Sequence, residues 1–208
     1  MSKAIITLAT GKHERYLEIA APSFKAFAER HGWDIYKTNS VGQARPPAWY
    51  KVPAIIELLH NYDEVLLLDA DTVIVDGTED LTAPPEAWQA MVMHNTADGE
   101  VPNTGVWLTR KPMIPILEAA WNMTDYVMHG WWEQAAILEL MGYQVRQPTH
   151  LIKPTELYNH THWLDPAWNV HKWHKPQPER PKIQHATMYP DIIEIMRIWA
   201  HEAEGWIR

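Results

Sequence analysis

The chain of 208 residues contains no cysteine, which excludes disulfides and thiolate chemistry and fits a reducing, cytoplasmic setting. Basic residues are also short. Eighteen Lys and Arg stand against 26 Asp and Glu, a formal charge of -8, and a groove for nucleic acid needs the opposite balance, so no nucleic-acid partner is expected. Long apolar runs are missing. The one near the start is too short for a signal-peptide core, and nothing later approaches the ~20 residues of a membrane span, so no transmembrane segment is expected. There is no internal repeat and no linker-like stretch in the first half, which predicts one domain over 1–208. Phenylalanine is nearly absent, with 2 residues against 12 Trp. Tryptophan offers wide flat surfaces with a polar N–H, suited to sugar faces as well as to cores.

What the chain does have is the stretch Val65-Leu66-Leu67-Leu68-Asp69-Ala70-Asp71-Thr72-Val73-Ile74-Val75. Its apolar part is short and unbroken, and reads as a central strand covered on both faces. Two carboxylates follow where the strand should end. Residues i and i+2 leave a strand on the same face, so Asp69 and Asp71 are expected to converge at the carboxyl edge of the sheet, where open α/β sheets bind ligands. Two hard oxygen donors at one point suit Mg2+ or Mn2+, which in turn suit phosphate oxygens.

The surrounding pattern is that of an α/β protein. Ala4 to Leu8 reads as a first strand ending in Ala9-Thr10-Gly11, Glu14 to Arg30 as a helix with Pro22 as a kink point and Gly32 as its stop, and Trp33 to Thr38 as a second strand. This βαβ opening implies a mostly parallel sheet flanked by helices. Val52, Ile55, Ile56 and Leu59 mark a helix with Lys51 in its first turn. After Asp71 the chain should stay extended to Val75. Gln89 to His94 reads as a strand, Asn95 to Pro102 as a polar loop, and Val106 to Thr109 as a strand. Helices are expected over Pro112 to Val127 and Trp131 to Met141, the latter stopped by Gly142. From Pro148 to Pro181 the many Pro, Trp and His predict an irregular wrap around the core. Lys182 to Ala186 is a short strand candidate, and Asp191 with Glu194 has capping-box spacing for a last helix through Glu204.

Two enzyme classes begin with such a D-x-D motif. Leu66 to Val73 resembles the opening motif of haloacid-dehalogenase-like phosphatases, but the later Lys and paired acidic motif of that family are not recognisable, and the motif sits two βα units into the chain. The other is the nucleotide-sugar glycosyltransferase of the GT-A fold, a Rossmann-like architecture. Here the resemblance rests on ordered pieces: Ala9-Thr10-Gly11, Pro47-Ala48-Trp49-Tyr50-Lys51, Leu68-Asp69-Ala70-Asp71-Thr72, Pro102-Asn103-Thr104-Gly105-Val106, Glu133-Gln134, Trp168-Asn169 and His185. Their order is similar to that of retaining GT-A enzymes of the glycogenin-like and galactosyl/xylosyl types, and covers most of the chain.

That resemblance implies Asp71 and His185 as metal ligands, with Asp69 touching metal or ribose. The metal would bridge the diphosphate of a nucleoside-diphosphate sugar, with UDP favoured, and imidazole beside carboxylates points to Mn2+ at least as much as Mg2+. Thr10, Tyr16, Lys51 and Ala70 fall on the donor side, Thr10 holding the base by backbone and Tyr16 either stacking on it or packing on the sheet. Asn103 and Gly105 resemble a sugar-binding N-x-G turn, the glycine allowing close backbone approach. Glu133-Gln134 opens a helix aimed at the sugar, with Glu133 the better nucleophile and Gln134 the better positioned dipole; a covalent intermediate and front-face attack both stay open. Related enzymes often follow this His with a Gly and a Lys, whereas this chain has Ala186-Thr187-Met188-Tyr189. The diphosphate grip then has to come from elsewhere, with Lys51 and Lys182 the candidates. Trp163, Trp168 and Trp173 form an acceptor platform or pack the tail. His160, His162, His171 and His174 suggest zinc only weakly, without thiolates to complete a site. The function expected is metal-dependent transfer of a sugar to a glycan, protein or small-molecule acceptor, with retention. A binding relative without turnover is the non-enzyme alternative.

Overall fold

A computed structural model describes residues 1–96, 99–146 and 148–208. Its first half alternates strands and helices as β1 Lys3–Leu8, α1 Lys12–His31, β2 Asp34–Thr38, α2 Lys51–Leu59 and β3 Glu64–Leu68. Then come β4 Thr72–Ile74, a long hairpin of β5 Gln89–Thr96 and β6 Gly99–Arg110, and the helices α3 Ile114–Asn122 and α4 Trp132–Met141. The last third holds β7 Tyr143–Gln144, β8 His150–Leu151, α5 Glu156–Asn159, β9 Thr161–Leu164, β10 Val170–His171, β11 Ile183–His185 and α6 Ile192–Ile207.

Among the described residues the central sheet has six strands in the order β2-β1-β3-β6-β5-β9. β6 alone runs against the others, pairing antiparallel with both β3 and β5. All five residues of β3 are buried, as an unbroken aliphatic strand requires. Its side chains alternate between two cores. Leu66 and Leu68 join Phe24 and Phe27 of α1 and Trp199 of α6, whereas Val65 and Leu67 join Val52 and Ile55 of α2 and Leu117 of α3. A second sheet, β10-β11-β4, sits at the carboxyl end of β3.

α1 is one helix on either side of Pro22 and ends at Gly32, whose φ of 70° is the left-handed cap that glycine adopts without strain. α6 starts at Asp191, whose carboxylate accepts from the Glu194 N–H at 3.0 Å.

Three expectations are corrected and a fourth is refined. The loop expected over 95–102 is mostly strand, paired as Asn95 to Glu100 and His94 to Val101, with residues 97 and 98 outside the described residues. Its polar residues misled, because alternate positions such as His94 and Val101 are buried. The helix expected over Pro112 to Val127 ends at Asn122, because Met123 leaves the helical region at φ -79° and ψ 82°. The extension expected after Asp71 is present over Thr72–Ile74, but it pairs as β4 of the second sheet instead of continuing β3. Within the irregular wrap, Thr161-His162-Trp163-Leu164 forms β9 and closes the central sheet beside β5, with Gln89 donating to the Thr161 hydroxyl at 2.9 Å.

One ion pair ties β3 and β6 in register. Glu64 and Arg110 are cross-strand partners, and the Arg110 guanidinium donates to Glu64 Oε1 at 2.6 and 2.9 Å and to the carbonyls of Ala83, Pro84 and Ala87. Arg110→Ala leaves a buried carboxylate and three carbonyls without that partner. The expected loss is ~3–5 kcal/mol in the free energy of unfolding from urea melts; a loss below ~1 kcal/mol, the level of an exposed pair, would refute the role of this ion pair.

Candidate functional site

The site forms where β3 stops. The Asp69 N–H donates to the Gly105 carbonyl at 2.8 Å, the last link to β6, and the Asp69 carbonyl then accepts from both the N–H and the hydroxyl of Thr72 at 3.0 and 2.7 Å. This turn sends the chain into β4. There β11 lies antiparallel, with His185 opposite Thr72, and the Ala186 N–H donates to the Asp71 carbonyl at 2.8 Å. His185 Nε2 therefore lies 3.4 Å from Asp71 Oδ1 and 4.0 Å from Asp69 Oδ2. The convergence expected of Asp69 and Asp71 occurs, but through a turn and a second sheet and not through the pleat of one strand.

Asp69, Asp71 and His185 each offer one ligand atom, all within 4.8 Å of one another, and they are the one such group of three among the described residues. Burial opposes the Asp71 charge, but the His185 ring and the Lys51 amine outweigh it and hold the carboxyl down at about 2. Burial also opposes charge on His185, and the two carboxylates outweigh it, so its pKa rises. Two carboxylates and an imidazole at this spacing form a donor set that could hold a metal ion.

The second oxygen of Asp69 faces Lys51, at 2.5 Å, and the same amine lies 3.3 Å from Glu133 Oε1. Lys51 comes from the first turn of α2 and Glu133 from the first turn of α4. Burial disfavours the ammonium, yet Asp69 and Glu133 together push its pKa up. Burial, with Asp69, raises Glu133, partly countered by Lys51. Glu133 is only 2% exposed, and its Oε2 is buried with no hydrogen-bond partner among the described residues. Three carboxylates thus gather around one ammonium and one imidazole. That excess of negative charge fits a divalent cation.

Beside the carboxylates lies the N-x-G turn. Asn103 Oδ1 accepts from the Gly105 N–H and from Asn169 Nδ2, both at 2.8 Å. Gln134 Oε1 accepts from Asn103 Nδ2 at 3.3 Å, from the Thr104 N–H at 3.2 Å and from the Thr104 hydroxyl at 3.4 Å. Gly105 is tightly enclosed, since a Cβ there would overlap the His185 ring and come within 2.9 Å of Asn103 Oδ1.

The remaining residues scatter. Ala70 is buried within the turn, and Thr10 follows β1, where its carbonyl accepts from the His13 N–H. Tyr16 is buried in the core on the α1 side, its ring edge-on to His13. Lys182 pairs with Glu79 and lies over the Trp168 ring, away from the carboxylate cluster. Trp168 is buried, Trp163 packs near Tyr158, and Trp173 is half exposed. His160 stacks on Trp88, while His171 and His174 gather around His94, which burial keeps neutral with its pKa lowered to about 3.

Sequence reasoning missed the roles of Asn169 and His94. Asn169 is fully buried; its side chain bonds both Asn103 and His185 Nδ1, and its carbonyl accepts from His94 Nε2. The signal was a polar residue after Trp168 in a tail read as loop, and nothing local says that it turns inward.

No protein-family model matches the chain, and no curated protein matches it in sequence. Solved structures do match in fold. A glycosyltransferase involved in the glycosylation of the major capsid of PBCV-1 superposes with a TM-score of 0.73 at 15% identity, over 95% of this chain and 100% of that one. GlyE, a glycosyltransferase of Streptococcus pneumoniae TIGR4, gives 0.64 at 14%, over 99% of this chain and 63% of its own. A Drosophila β1,4-galactosyltransferase 7 mutant, in complex with manganese, UDP-Gal and xylobiose, gives 0.50 at 16%, over 66% of this chain and 60% of its own. The chain has the GT-A fold.

The enclosure of Gly105 predicts an energetic coupling. Gly105→Ala should cost ~1–3 kcal/mol in wild type, as overpacking does. In a His185→Ala background the same change should cost less by on the order of 1 kcal/mol, read from a double-mutant cycle of unfolding free energies. Equal costs in the two backgrounds would show that the ring is not what encloses the glycine.

Proposed function

We propose that residues 1–208 act as one domain that transfers a sugar from a nucleoside-diphosphate sugar, UDP favoured, to a glycan, protein or small-molecule acceptor, with a divalent cation and with retention. The reading rests on one observation above all: Asp69, Asp71 and His185 meet at the carboxyl edge of β3 with their ligand atoms within 4.8 Å. It is supported by the GT-A fold, whose neighbours include an enzyme solved with manganese and UDP-Gal.

Asp71 and His185 are assigned as direct ligands and Asp69 as a ligand or a ribose contact. A divalent cation held there, Mn2+ before Mg2+, would supply positive charge to the diphosphate; the anomeric C–O bond breaks and its electron pair leaves with the nucleoside diphosphate. The acceptor hydroxyl forms the new C–O bond and gives its proton to the oxygen of the departing nucleoside diphosphate. Lys51 holds Asp69 and Glu133 apart from one another and fixes both. Thr10 is assigned to the base side and Ala70 to backbone contact with the donor, while Tyr16, buried in the core, takes its other expected role of packing on the sheet. Asn103 and Gly105 line the sugar side. Of the helix-opening pair, Gln134 has its oxygen occupied by three donors, whereas one oxygen of Glu133 has no partner among the described residues. Glu133 is therefore the group we assign to the positive charge that develops at the anomeric carbon, and Gln134 to bracing the N-x-G turn.

The test is release of nucleoside diphosphate from a panel of sugar nucleotides, with and without Mn2+. Asp71→Ala should lower Mn2+-dependent release by on the order of 100-fold or more. Undiminished release would sink the metal assignment. A thermal shift with sugar nucleotide and Mn2+, but neither transfer nor donor hydrolysis, would identify a binding protein instead.

A further inference from the structure

A metal-ligating histidine must present a lone pair, and which ring nitrogen does so depends on what the other one bonds. Here the answer follows from backbone groups that can only donate. The Gly105 N–H points at one end of the Asn103 side chain, at 2.8 Å, so that end is the oxygen. The Thr104 N–H likewise fixes Gln134 Oε1, which receives the other end of Asn103 as a donor. Asn169 approaches the same Asn103 oxygen at 2.8 Å and must meet it with its NH2. Its own oxygen therefore faces His185 Nδ1, at 3.0 Å, and that nitrogen must carry a proton.

We propose that Asn169 is the positioning residue that holds His185 with its proton on Nδ1, keeping the Nε2 lone pair turned toward Asp69 and Asp71. The competing arrangement is close at hand. Nε2 lies 3.4 Å from Asp71 Oδ1, and without Asn169 a neutral ring gains more by placing its proton on Nε2 and donating to that carboxylate, which blocks the ligand atom. Asn169 is placed for this by its own surroundings. It immediately precedes β10, whose parallel pairing with β11 sets His171 beside His185, and its carbonyl accepts from His94 Nε2 at 2.8 Å. The side chain is 0% exposed, so water does not substitute for it. The same chain of amides runs on to Gln134, so the metal ligand and the N-x-G turn share one set of hydrogen bonds.

This inference rests on the metal reading above for its purpose, but its test does not. Long-range 15N–1H spectra of metal-free protein, at a pH where the ring is neutral, report the tautomer of His185, assigned by the signal lost in His185→Gln. Wild type should carry the proton on Nδ1. Asn169→Asp keeps an acceptor for that proton and should preserve the tautomer, whereas Asn169→Leu should move the proton to Nε2. Mn2+ titration should then show a 10–100-fold weaker affinity for Asn169→Leu, in the range known for outer partners of metal ligands, and a far smaller change for Asn169→Asp. A wild-type ring protonated on Nε2 overturns the proposal even if neither variant folds, and so does an unchanged tautomer in Asn169→Leu. Wild type that carries the Nδ1 proton but binds no Mn2+ would refute the metal reading while leaving the positioning role supported.

Discussion

The site depends on one hydrogen-bonded turn. β3 is the most buried strand of the central sheet, and its pairing with β6 ends at the bond from the Asp69 N–H to the Gly105 carbonyl. Had the strand continued, Asp71 would have stayed in the central sheet, far from β11. The turn instead spends the Asp69 carbonyl on Thr72 and swings the chain into β4, where pairing with β11 delivers His185. The hydrophobic core fixes the position of Leu68, and the carboxylates that follow inherit that precision.

Electrostatics and hydrogen bonding then divide the site in two. On one side Lys51 is wedged between Asp69 and Glu133, a buried ion triad whose members would each be costly alone. On the other, amides alone run from His185 through Asn169 and Asn103 to Gln134, and each of these bonds joins a donor to an acceptor. A closed polar network of this kind rigidifies its members, because any member that leaves strands its neighbours. The ion-paired side stays open at Glu133 Oε2, which is buried and unpartnered among the described residues. The rigid side holds ligands in place, and the open side is where a new partner gains most.

Much of this was legible in the sequence for physical reasons. An unbroken Leu run has nowhere to go but the centre of a covered sheet, and carboxylates after it mark the edge of that sheet. The ordered pieces around Lys51, Asn103, Glu133 and His185 do come together at that edge. What the sequence did not disclose depends on partners distant along the chain. β9 and the outer ends of β5 and β6 were hidden, because half-polar segments are buried only once a neighbour is supplied, as Thr161 is by Gln89. The geometry of Asp69 and Asp71 was hidden because turn and strand share the same residues. Asn169 was named only as part of the Trp168-Asn169 piece, without a role, since what a buried amide does is recognisable only by what it bonds.

The segment after His185 holds a strained turn in place. Met188 has a φ of 67°, a left-handed conformation that glycine adopts freely and that costs other residues roughly 1–2 kcal/mol. The turn is held nonetheless: the Ala186 N–H bonds Asp71, the Tyr189 N–H bonds Ala186, and the Tyr189 ring packs edge-on to Trp199 of α6. Its duty here is to tie β11 to the carboxylates and to the last helix. No lysine stands there, Lys182 is paired with Glu79, and Lys51 is held by Asp69 and Glu133. For the proposed sugar-nucleotide reaction, charge on the diphosphate would thus be met chiefly by the cation that Asp69, Asp71 and His185 are arranged to hold. An enzyme with a free lysine at that turn can share the load; on the proposed reading this one concentrates it on a single ion.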